Sequence, residues 1–169
     1  MSHTERTERS GIAGLDARDL LVLAGFVVGV NAVGAAPSLV AGADTSWIEE
    51  PWFFPPTIAF PVVWTLLFTL MGVALFLIWR RGAGRRDVKI ALGAFAVQMA
   101  LNVAWTPVFF GLQAPGPGLA IILALWVAIV ATIAAFDRVD RRAAALLAPY
   151  LAWVTFAAVL NYAIWRLSG

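Results

Sequence analysis

Residues 90–136 read IALGAFAVQMALNVAWTPVFFGLQAPGPGLAIILALWVAIVATIAAF, without one charged side chain. A helix that crosses a bilayer needs about 20 apolar residues, because about 30 Å of hydrocarbon is covered at about 1.5 Å per residue. This run is roughly twice that length, and it is interrupted once, by Gly111-Leu-Gln-Ala-Pro-Gly-Pro-Gly118. Glycine and proline at that density close one helix and open the next. The stretch therefore predicts two spans, near 90–110 and 118–136. That division decides the fold, since it sets on which side of the membrane every other segment lies.

Working outward, charge is also absent from Leu20 to Ala43, from Pro51 to Trp79 and from Ala143 to Trp165. These runs predict further spans near 20–41, 59–79 and 143–165. The expected fold is an all-α membrane protein, a bundle of five transmembrane helices. Of the twelve Lys and Arg residues, three precede the first span, five lie in 80–89, three in 137–142, and Arg166 follows the last. None falls in 42–58 or 111–117. By the positive-inside rule this alternation predicts a cytoplasmic N-terminus and an outer C-terminus. The expected setting is a multi-pass protein of the cytoplasmic (plasma) membrane, although an organelle membrane obeys the same rule. The expected organisation is a polar tail over 1–19 and one membrane domain over 20–169. A cleaved leader is the competing reading of the first span, given its basic flank, the apolar run from Leu20 to Val30 and the small Ala35-Ala36. Cleavage would spoil the charge alternation and leave Pro37 close to the cut, so the span is read as retained.

At 62% hydrophobic and 13% charged residues, the chain lies outside the soluble globular range. Its basic residues border the spans, so the net charge of +2 calls for no nucleic-acid partner. There is no cysteine, which excludes disulfides and thiolate chemistry. The only histidine is His3, in the polar tail. A Ser-His-Asp relay cannot be assembled, and no metal site is expected. No acidic, basic or histidine side chain interrupts a span, which disfavours proton-coupled transport. The interior offers amides, hydroxyls and indoles, and no cofactor is required by them.

Those groups are patterned. In the third span Gln98, Asn102, Trp105 and Phe109 form one stripe, while Ala96, Ala100 and Ala104 fall on the opposite side. The amide stripe belongs inside the bundle, where it either ties helices together or meets a ligand. The alanine ladder suits close helix contact and is the candidate face for a homodimer, though alanine-rich spans also produce such ladders by chance. The fifth span places Tyr150, Trp153, Ala157, Leu160 and Asn161 on about one face, and the second places Phe60, Trp64 and Phe68 together. These faces converge beneath the loop Glu50-Pro-Trp-Phe-Phe-Pro-Pro56, whose Pro51, Phe53, Pro55 and Pro56 form a candidate lid. The expectation is an aromatic-walled cavity for a flat apolar ligand. Trp79 and Trp165 read as interfacial belt residues, Trp47 and Trp52 as belt or lid, and Trp126 as packing.

Three of these segments carry a resemblance. The stretch Pro51-Trp-Phe-Phe-Pro-Pro-Thr-Ile-Ala-Phe-Pro-Val-Val-Trp64-Thr with Met71-Gly72 resembles the first loop and second helix of the TspO/MBR family. Gln98-Met-Ala-Leu-Asn102-Val-Ala-Trp105 with Phe109-Phe110-Gly111 is similar to the family's third helix, and Pro149-Tyr150 through Trp165-Arg166 to its fifth. The likeness runs from about residue 20 to the end, in consistent order. It implies a membrane protein that binds porphyrin, haem, sterol or benzodiazepine-type molecules beneath its first loop, with a homodimer usual in the family. It implies ligand contacts at Trp64, Asn102, Trp105, Trp153, Ala157 and Leu160. A tetrapyrrole or sterol-like small molecule and the lipid bilayer are then the expected partners, with porphyrin or haem as ligand. Binding and sensing lead; facilitative transport is an alternative. A third is light-driven porphyrin degradation, for which the family's tryptophans match Trp64 and Trp153. The segment Leu160–Arg166 also fits the family's loose sterol motif, and equally fits ordinary interfacial anchoring. The chain departs from the family's pattern at Thr45-Ser46-Trp47-Ile48-Glu49-Glu50, where an aromatic pair and a lysine are usual. It departs again at Pro117 and Ile121 in the fourth helix. The acidic loop opposes porphyrin carboxylates.

Overall fold

The computed structural model describes residues 15–168. His3 and most of the polar tail lie outside them. Five helical spans, at Ala17–Ala41, Ala59–Trp79, Arg86–Gly111, Pro115–Asp137 and Arg141–Leu167, are long and apolar enough to cross a membrane. No strand occurs among the described residues. A chain in hydrocarbon must satisfy its backbone groups within itself, and the helix does so locally. The protein is an integral, multi-pass membrane protein.

The elements are α1 (Ala17–Ala41), α2 (Ala59–Trp79), α3 (Arg86–Thr106), α4 (Pro115–Asp137), α5 (Arg141–Leu146) and α6 (Ala148–Leu167), with a π-helical turn at Pro107–Gly111 ending the third span. Several helices begin a few residues before the charge-free runs do. Asp16 caps α1, its carboxylate accepting from the Asp19 amide at 2.8 Å, so the helix starts on polar residues beneath the first apolar turn. The fifth span departs from the single helix expected. Pro149 has no amide to give and crowds the turn before it, so the chain breaks at Leu147 and restarts as α6. The third span departs as well, Pro107 opening a wider turn in place of regular α-helix.

In space, α1 lies against α2 and α3, α4 against α3 and α6, and α2 against α5. The ring order is therefore α1, α2, the fifth span, α4, α3. Two glycines permit the α1–α2 contact. A Cβ on Gly72 would stand 2.6 Å from the Val27 Cα, and one on Gly34 would enter the ring of Phe68. Between them Asn31 donates to the Thr69 hydroxyl at 3.2 Å.

The two ends of the bundle differ. At the basic end, which carries the 80–85 and 138–140 turns, Phe76, Ile78, Val88, Ala91, Phe136, Ala143 and Leu147 are buried. There Arg81 forks onto Asp140, with its Nε at 3.0 Å, and Asp140 also caps α5 by accepting from the Arg142 amide at 2.9 Å. Burial alone would raise the Asp140 carboxyl, but the hydrogen bonds from Arg81 and the α5 amides outweigh it and hold it below the ordinary carboxylate range. At the loop end the core is aromatic, built on Ile48, Phe109, Leu160 and Ile164 with Trp47, Phe53, Phe54, Phe60, Trp105 and Phe156 around them.

Candidate functional site

α2 meets the short α5 closely, whereas its backbone and that of α6 scarcely meet. Large side chains bridge the gap: Trp64 reaches Tyr150 at 6.2 Å between ring centroids and Phe60 reaches Trp153 at 6.1 Å, both edge to face. The splay leaves a cavity of about 490 Å³ between α1, α2, α3, α4 and α6, roofed by the 42–58 loop. Its floor is Phe68, stacked on Trp64 at 5.2 Å and held close to α1 where Gly34 lacks a side chain.

All six of the expected ligand contacts, Trp64, Asn102, Trp105, Trp153, Ala157 and Leu160, border this cavity. The four expected lid residues lie in the roofing loop but do not themselves line the cavity. Ile48, Phe54 and Thr57 of the loop face the cavity, while Pro51, Pro55 and Pro56 shape the loop without lining it. Phe53 turns onto Phe156 at 6.4 Å, and Trp52 is 95% exposed at the tip. Ala96, Ala100 and Ala104 are exposed on the outer side of α3. Trp126 lies on the outer surface, donating to the Thr155 hydroxyl at 2.9 Å, away from the cavity.

The amide stripe divides into two jobs. Asn102 donates to the Tyr150 hydroxyl at 2.9 Å, and that hydroxyl donates to Gln98 Oε1 at 2.8 Å, a relay that ties α3 to α6. Gln98 also faces the Met71 thioether at 3.8 Å and does not reach the cavity. Asn102 both ties the helices and borders the cavity. Higher up, Asn161 accepts from the Trp105 indole at 3.1 Å and donates to the Pro115 carbonyl at 2.7 Å, clasping α6, α3 and the start of α4. Trp105 is thereby fixed in orientation, and its ring stacks on Phe109 at 4.8 Å. Phe109 in turn carries the lid residue Trp47 at 5.5 Å.

The wall contributed by α1, namely Asn31, Gly34, Ala35 and Ser38, is absent from the sequence reading. A signal was present: these residues recur at helical spacing, and Asn31 is the single amide in the first span. The polar groups around the cavity are amides, hydroxyls and indoles, and none of its lining residues is acidic, basic or histidine. One donor there stands out. Among the described residues the Trp153 Nε1 is the single buried side-chain nitrogen or oxygen without a hydrogen-bond partner. No cluster of His, Cys, Asp or Glu suited to a metal ion occurs among the described residues.

A five-span helical bundle with an uncharged, tryptophan-walled chamber under a loop defines a polytopic membrane protein built around an apolar compartment. The chain belongs to the TspO/MBR family, whose model matches residues 23–166. It is 41% identical over 155 residues to the tryptophan-rich protein TspO of Chlorobaculum tepidum, covering 89% of this chain and 98% of that one. The tryptophan-rich sensory protein of Cereibacter sphaeroides is 38% identical over 122 residues, 72% of this chain and 74% of the relative. The translocator protein of Sus scrofa is 37% identical over 145 residues, covering 85% and 83% respectively.

Proposed function

We propose that this protein binds a flat, largely apolar molecule, of the tetrapyrrole or sterol-like class, in the cavity beneath its 42–58 loop, and acts as a sensor of that molecule. The observation that carries the reading is the uncharged cavity of about 490 Å³ with Trp64, Trp105 and Trp153 in its walls. Small-molecule sites commonly span about 300–1,000 Å³, with apolar walls and few polar groups. The unpaired indole N–H of Trp153 supplies one such group. A buried donor without a partner costs about 1–3 kcal/mol, which a ligand acceptor would recover once the Trp153 ring turned its N–H into the cavity. The ring contacts from Trp105 through Phe109 to Trp47 give the ligand a route to shift the lid. Relatives bear both sensory and translocator names. The uncharged wall supports binding or downhill passage over ion-coupled transport.

The test is a protoporphyrin IX titration of purified protein, followed by quenching of tryptophan fluorescence, beside Trp153→Ala and Trp64→Ala. Saturable quenching weakened at least about 10-fold in Trp153→Ala supports the site, since about 1.4 kcal/mol is tenfold in affinity. Saturable binding that both variants leave untouched would remove the ligand from this cavity. A photochemical reading follows from Trp64 and Trp153 bordering one chamber. It predicts light-dependent bleaching of bound porphyrin that either substitution abolishes.

A further inference from the structure

The cavity wall is neutral, so any charge selection must arise from the loop that roofs it. Ala43, Thr45 and Ile48 of the loop border the cavity, and Asp44 and Glu49 are their immediate neighbours in the chain. Glu50 follows, and no base occurs anywhere in 42–58 or 111–118. The base nearest that end of the bundle is Arg166, exposed at the close of α6. The loop that roofs the cavity thus carries three carboxylates, and that end of the bundle one guanidinium. Asp44 is fixed in place by Ser46, whose amide and hydroxyl donate to its carboxylate at 2.9 and 2.8 Å. Those bonds hold its carboxyl below the ordinary range. Glu49 and Glu50 are exposed and make no hydrogen bond or ion pair among the described residues. Nothing in the local fold uses them.

Resting on the reading of the cavity as a ligand site, we propose that the loop carboxylates make it select neutral or cationic amphiphiles over anionic ones, with Glu49 and Glu50 as the specificity-determining residues. An amphiphile enters such a chamber with its apolar body inward and its charged end at the mouth. The inside offers a cation nowhere. An anionic end therefore stays near the loop, whose like charges oppose it across partly screened solvent. A neutral ester, alcohol or amine of the same shape escapes that repulsion.

The experiment compares two probe pairs that differ in charge at constant shape: protoporphyrin IX with its dimethyl ester, and a sterol with its sulfate ester. Each is titrated into the parent and into Glu49→Gln/Glu50→Gln, at low and at high salt. In whichever pair binds saturably, the double variant should tighten the anionic member about 3- to 10-fold and leave the neutral member unchanged. Raising salt should narrow the same gap in the parent, and Glu49→Asp/Glu50→Asp should retain parental discrimination. Equal affinity for both members of a pair, unmoved by the double variant, would overturn the selection while leaving the cavity as a binding site. Failure of all four probes to saturate would overturn the binding reading, and this inference with it.

Discussion

The basic half of the bundle and the loop half use the same five helices to opposite ends. In the basic half, small and aliphatic side chains together with the rings of Phe76 and Phe136 close the space between helices, and a buried carboxylate receives an arginine fork and caps a helix at once. In the loop half the helices part, rings replace aliphatics, and the remaining space is left open as a chamber. Close packing is the ordinary state of a protein interior, so the open half is the exception that calls for a cause. The contrast teaches that stability is concentrated at one end, which frees the other to hold something that is not protein.

Substitutions can break that contrast. The largest effect is expected for Gly72→Val, because the added carbons meet the backbone of α1 and no side chain can yield. Overpacking of this kind costs about 1–3 kcal/mol or more, seen as a large fall in thermal midpoint in detergent or as loss of folded yield. Next is Asp140→Asn, which removes the partner of Arg81 and weakens the α5 cap. With Arg81 half exposed, the loss should be about 1–2 kcal/mol, within the range for a charged hydrogen bond and an N-cap. Its pH signature has a definite sign. The folded-state carboxyl lies below its unfolded value. The stabilisation is therefore complete above the unfolded pKa of about 3.9 and lost as pH falls through the lower folded value. The parent should lose thermal stability across that acid window, and the stability gap to Asp140→Asn should shrink there.

A smaller effect is expected for Gln98→Leu, which strips the Tyr150 hydroxyl of its acceptor. Interhelical hydrogen bonds in membrane proteins average about 0.6 kcal/mol, so a modest drop in unfolding midpoint should follow. The smallest stability change sharpens the comparison most. Gly34→Ala places a methyl where the Phe68 ring stands, and that ring can swing into the chamber. Stability should hardly move while saturable ligand binding weakens several-fold, the reverse of Gly72→Val. Similar losses in both assays for the two glycine variants would erase the distinction between the halves.

Much of this architecture was legible because a bilayer imposes coarse rules. Charge placement located four apolar runs, since ionised side chains are excluded from hydrocarbon whatever the packing, and the glycines and prolines of 111–118 divided one of them into two spans. What escaped was local backbone chemistry inside apolar runs. Pro107 and Pro149 each signalled an interruption, yet the continuous hydropathy around them read as unbroken helix. In the site, the faces of α2, α3 and α6 were readable from helical spacing of rings and amides. The α1 wall was not, because glycine, alanine and serine line a cavity by being small, and smallness has the same look when helices pack. The inward-facing residues of the loop were not readable for a related reason. Its prolines set the path, but Ile48, Phe54 and Thr57, which face inward, are chosen by tertiary contacts that sequence spacing does not encode.

The π-helical turn at Pro107–Gly111 puts Phe109 and Phe110 side by side, both against Trp105, at 4.8 and 5.6 Å. Trp47, and with it the roof of the chamber, rests on the first of these rings. Tightening the turn to ordinary α-helix would rotate Phe109 from under that weight without disturbing a single residue of the basic half. The molecule has set its keystone on a loosened joint, which couples the roof to the chamber wall.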